Sequence, residues 1–247
     1  MSMSRRRVRA IFGKELREFR RNRSLTAGMA IVPAIFSIQP LVTVFTLDPS
    51  AATSLRHEHV LLYLLGIPAL VPSLVAAYSV VGERQQATLE PVLTTPIRAG
   101  ELLLGKALAT FVPSLAVAYT VYGLVLACIA VFADPGVASA LIQVPDLLAQ
   151  IVFTPLLTGW SIWTAIVISS RADDVRVAQQ LATLAGLPSV ALTTLVAFNV
   201  IPPSLVTALI AAAVLLALNR IGWRLATAVF DRERLITGST SSSMPRR

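Results

Sequence analysis

Charged side chains are scarce in this sequence: Asp, Glu, Lys and Arg make up 14% of 247 residues, against 55% hydrophobic. That is too little charge, and too much apolar surface, for a water-soluble domain of this size, and the mean hydropathy of +0.72 says the same. A single cysteine, Cys128, excludes an intrachain disulfide and a thiolate metal cluster. Inside an apolar stretch it reads as a small core residue. The two histidines, His57 and His59, flank Glu58, and residues so close cannot share a helix face as the HExxH zinc motif requires, so no metal site is expected there. A phosphate-cradling loop is missing too. Leu104-Gly105-Lys106 lacks the upstream glycine of GxxxxGK[ST] and continues into Ala107, so any ATP must be hydrolysed on another chain. Gly159-Trp160-Ser161 lacks the second glycine of a nucleophile elbow. No catalytic residue stands out, and an enzyme is not expected.

What is present is a series of apolar runs long enough to cross about 30 Å of hydrocarbon at 1.5 Å per residue. Six spans are expected, at Leu25 to Leu47, Val60 to Val81, Leu102 to Phe132, Val144 to Ser170, Ala178 to Asn199 and Pro203 to Gly222. Ahead of them, Val8, Ile11, Phe12, Leu16 and Phe19 recur at helical spacing, with Arg9, Lys14, Glu15, Arg17 and Glu18 expected on the other faces. This predicts an amphipathic helix lying on the membrane surface. Arg5 to Arg23 stays charged throughout, unlike a cleavable secretory or twin-arginine signal. The fold class is therefore an all-α membrane protein. Residues 1–24 form the interfacial segment, 25–222 the six-span domain and 223–247 a tail whose Ser-rich end is expected to be disordered.

The net charge of +8 does not point to nucleic acid, because the cations cluster beside the apolar runs, where they meet anionic membrane lipids and set orientation. Nine Lys and Arg precede the first span, Arg84, Arg98 and Lys106 fall at the second-to-third connection, Arg171 and Arg176 at the fourth-to-fifth, and six follow Asn219. Only Arg56 lies on the other side, so both termini are expected in the cytoplasm. Prolines punctuate the spans at Pro33, Pro40, Pro68, Pro72, Pro113, Pro155 and Pro188. Each removes a helical hydrogen bond, which suits a protein that changes shape, although proline is common in membrane helices generally. All 13 acids lie at or near span ends or in connections, leaving the spans neutral, which argues against a self-sufficient proton or sodium pump.

The most informative connection runs from Gly82 to Ile97, GERQQATLEPVLTTPI, followed by Glu101-Leu102 and Gly105-Lys106. Pro91 interrupts it, predicting a short helix from Glu83 to Glu90 and a restart at Thr95-Pro96. Leu89 and Leu93, bordered by Glu83, Arg84, Gln86 and Glu90, form a small patch suited to docking. This segment resembles the ABC-2 type exporter permeases, whose pattern is roughly ERExGTLExLLxTPI, then EL and GK. Gln85 replaces the acid and Ala87 the glycine. Lys14-Glu15-Leu16-Arg17-Glu18 and Phe230-Asp231-Arg232-Glu233-Arg234-Leu235 match as well, so the resemblance covers nearly the whole chain.

The resemblance implies a cytoplasmic coupling segment at 83–98, with Glu83, Arg84, Gln86, Thr88, Leu89, Glu90 and Leu93 docking into an ABC ATPase. It implies two ATPase copies, a second permease identical or different, ATP and Mg used by the partner rather than bound here, and a prokaryotic cell membrane. Substrate would meet the first, second and fifth spans, with Gln39, Tyr78, Thr193 and Asn199 as candidates. Such neutral lining suits an amphipathic or lipid-like cargo. An ion-coupled secondary transporter and a non-transporting membrane scaffold are the alternatives.

Overall fold

The computed structural model describes residues 4–46, 58–85 and 99–229. These are almost entirely helical, with no strand among the described residues. In chain order the elements are α1 (Arg5–Arg21), α2 (Arg23–Thr46), a 3-10 helix (Val60–Leu65) that leads directly into α3 (Gly66–Gln85), α4 (Ala99–Phe132), α5 (Pro135–Leu141), α6 (Val144–Ser169), α7 (Val175–Ala197) and α8 (Leu205–Val229). Six helices are long and apolar enough to cross a membrane: Arg23–Thr46, Val60–Gly82, Gly100–Phe132, Val144–Ser169, Val175–Ala197 and Leu205–Val229.

The boundaries follow local chemistry. Asn22 joins the first two helices: its backbone N–H closes α1 on the Glu18 and Phe19 carbonyls, and its side-chain oxygen accepts from Ser24 N and Leu25 N, capping α2. Asp134 and Asp174 cap α5 and α7 by accepting from backbone N–H groups of their first turns. Boundaries of the last two spans differ from expectation. The fifth span ends at Ala197, because Asn199 adopts φ 55° and the Asn199 and Val200 N–H groups bond back to Val196 and Leu195, a left-handed helix stop. The sixth starts at Leu205 and runs on past Gly222 to Val229. Pro202 and Pro203 cannot continue a helix backward, and Ser204 and Thr207 exchange reciprocal capping bonds at 2.9 and 3.1 Å.

The most buried element is the 3-10/α3 span, enclosed by α2, α4, α6 and α7. Side chains on α6 tie to it, with Ser161 and Ser169 donating to the Ala69 and Ala77 carbonyls, each at 2.5 Å. Pro155 has no N–H to offer the Ile151 carbonyl four residues earlier, and Tyr119 on α4 donates to that carbonyl at 3.1 Å. Pro68 lies within the second span, in the first turn of α3 just after the 3-10 helix.

α8 packs on α6 through small residues. The Asn219 side chain occupies the place where a Cβ on Gly159 would sit and donates to the Leu156 carbonyl at 2.9 Å. Nearby, Trp163 and Trp223 meet edge to face at 5.1 Å. Most other large side chains of α2, α7 and α8 that face outward are apolar, as a lipid-facing surface requires.

Candidate functional site

One end of the bundle collects most of the described buried ion pairs. α1 carries Ile11, Glu15 and Phe19 at four-residue spacing, and all three are buried. Ile11 seats against Gly105 on α4, so closely that a Cβ there would lie 2.6 Å from Ile11 Cγ2. One turn along α1, the Glu15 carboxylate reaches Lys106. Lys106 Nζ donates to Glu15 Oε1 at 2.8 Å and to the Ser79 carbonyl of α3 at 2.8 Å, with the lysine wholly buried. At the start of both helices, Glu101 accepts from Ser4 N at 2.8 Å and pairs with Arg7 at 3.4 Å. Burial strengthens these contacts, because the low local dielectric raises the cost of separating the charges.

Two expectations are corrected here. Glu15 lies on the buried stripe of α1, not on a solvated face, because its partner is Lys106. Lys106, expected in the second-to-third connection, is a fully buried residue within α4. Both residues belong to motifs that stand apart in sequence, Lys14-Glu15-Leu16-Arg17-Glu18 and Gly105-Lys106, and the fold joins them.

The expected docking segment leaves α3 at this same end. Glu83 and Arg84 fall in the last turn of α3, whereas Gln86, Thr88, Leu89, Glu90 and Leu93 lie outside the described residues, as does the Phe230 to Leu235 motif. The four expected pathway residues are not gathered in one place. Tyr78 packs near Phe19 and Leu25 toward the α1 end. Gln39 is half-buried on α2, its side-chain oxygen without a hydrogen-bond partner among the described residues. Thr193 turns its hydroxyl back onto the Val190 carbonyl at 2.9 Å, and the exposed Asn199 is the helix stop described above. A groove of about 590 Å³ opens between α3 and α7, lined by Leu74, Arg176, Gln179, Gln180, Thr183 and Leu184.

At the opposite end, His59 Nδ1 and Asp146 Oδ1 are 2.6 Å apart, joining the start of the second span to that of the fourth. The sequence offered no signal for this contact beyond one histidine before an apolar run and one acid after another. Among the described residues no group of three His, Cys, Asp or Glu could hold a metal ion.

Six membrane-spanning helices, with a charged N-terminal helix clamped onto the third span, define a multi-pass membrane protein. The sequence profile described as ABC-2 family transporter protein matches residues 9–230, from within α1 to just past α8. The chain belongs to the ABC-2 transporter family and is a membrane permease component of an ABC transporter. A comparison with curated proteins finds no match.

Proposed function

We propose that this chain is the permease subunit of an ATP-driven exporter, forming the translocation pathway and coupled to a separate ATPase subunit. The observation that carries the reading is the family match over residues 9–230. The fold supports a route for force: the 83–98 connection joins α3 to α4, and α4 is held to α1 by Lys106–Glu15 and to α3 by Lys106 and the Ser79 carbonyl. A push on the connection therefore moves α1, α3 and α4 together rather than one helix alone.

The complex pairs two permeases, identical or different, with two ATPases that bind ATP and Mg. The permease lies in a prokaryotic cell membrane with both termini cytoplasmic. Glu83, Arg84, Gln86, Thr88, Leu89, Glu90 and Leu93 form the docking segment. The groove between α3 and α7, with Arg176, Gln179 and Thr183 beside Leu74 and Leu184, suits an amphipathic cargo.

The test is purification from the native membrane, with and without Glu90→Arg or Leu89→Asp. An ATP-binding protein that accompanies the wild-type chain and is lost from both variants supports the reading. A chain that comes alone and transports on an ion gradient contradicts it.

A further inference from the structure

Serine and threonine in apolar helices ordinarily turn the hydroxyl back onto a carbonyl of the preceding turn. Ser37, Thr43, Thr183 and Thr227 do so here at 2.8–3.0 Å. Three others do not. Thr110 and Ser114 on α4, and Thr158 on α6, are each at most 1% exposed, yet their hydroxyl oxygens have no hydrogen-bond partner among the described residues. The same two helices carry further buried polar atoms without a protein partner: Tyr122 Oη on α4, and Asp146 Oδ2 and both amide atoms of Gln150 on α6.

These groups share one seam. α4 and α6 are antiparallel neighbours whose register is set where Tyr119 Oη donates to the Ile151 carbonyl. Counting along the helices from that contact, Ser114 comes near the level of Thr158 with Thr110 one turn further, and on the other side of the contact Tyr122 comes near the level of Gln150. So many unsatisfied buried groups, in a bundle whose other buried serine and threonine hydroxyls mostly find partners, call for a ligand with matching chemistry. Gln150 offers both an acceptor and a donor. A cation would satisfy the oxygens and leave its N–H groups bare, whereas water gives and accepts and makes two to four bonds in such sites.

We propose that the α4–α6 seam is a hydrated site, holding a file of bound water from Asp146 to Thr110. At its outer limit His59 holds one carboxylate oxygen of Asp146 and leaves the other for the file. Beyond Thr110, Ala107 belongs to the same buried apolar cluster as Ala165 and Ile166, and the file ends there, before Lys106. This site is independent of the exporter reading.

X-ray radiolytic labelling tests it, because ionising bound water produces hydroxyl radicals that modify the side chain beside them. The full chain in lipid nanodiscs is exposed in oxygen-labelled water and its peptides are read by mass spectrometry. Tyr122 takes up the label in the wild-type chain. In Gln150→Leu/Thr158→Val, which leaves too few polar partners to hold water, the uptake falls about fivefold or more while Tyr63, outside the seam, keeps its level. Absence of label at Tyr122 in the wild type overturns the proposal and needs no variant to be read. Equal labelling of Tyr122 in a folded variant overturns it as well, since the water then comes from elsewhere.

Discussion

Lys106 Nζ lies 2.8 Å from Glu15 Oε1, so a lysine of the third span and a glutamate of the N-terminal helix neutralise one another out of contact with solvent. Removing one partner takes away the shortest contact of a buried charge, with Lys14 staying 3.7 Å from Glu15, and costs up to about 3–5 kcal/mol, while removing both is less damaging. Lys106→Met is therefore expected to lower thermal stability in detergent sharply, and Glu15→Leu/Lys106→Met to recover most of the loss. A loss in the double variant equal to the sum of the two single losses would show that the two side chains act separately.

The Ile11–Gly105 contact makes a steric prediction. Gly105→Val drives a side chain into Ile11, and overpacking of this kind costs about 1–3 kcal/mol. Combining it with Ile11→Ala opens room and is expected to restore part of the stability. Limited proteolysis near Arg5–Arg21 reads whether α1 has lifted from α4 in the single variant.

Membrane spans were legible in the sequence because crossing hydrocarbon imposes a length and composition that survive without any tertiary information, and all six apolar runs became helices. Lys106 was not, because a cation near the start of an apolar run looks the same whether it meets lipid head groups or a buried carboxylate. Only the packing of α1 tells the two apart. Glu15 was hidden for the reciprocal reason. The α4 and α6 polar groups look ordinary one at a time, and acquire meaning only once the fold buries them without hydrogen-bond partners among the described residues. Asn199 was read as a polar lining residue on composition, whereas its backbone supplies a reason of its own for asparagine at that position.

That reason can be separated from a substrate role. At φ 55° glycine fits without strain and asparagine is tolerated, but a β-branched residue costs about 1–2 kcal/mol. Asn199→Gly is expected to leave the melting temperature near wild type and Asn199→Val to lower it. Transport that survives Asn199→Gly assigns the residue to the backbone turn, and transport lost in that stable variant assigns it to the pathway.

The His59–Asp146 contact makes a third pair to divide. His59→Phe removes the described partner of a buried carboxylate oxygen and is expected to cost about 1–3 kcal/mol. Asp146→Asn in the same background, by removing the charge, is expected to recover part of it. A melting series of the two single variants and the double reads the coupling directly.

The central claim is that this permease works as part of an ATP-driven complex, and native mass spectrometry of the assembly released from its own membrane tests it most directly. The account predicts a four-subunit mass made of two permeases and two ATP-binding subunits, with ATP hydrolysis in the same fraction. A chain that appears only by itself, with no ATP-binding subunit and no hydrolysis, would contradict it.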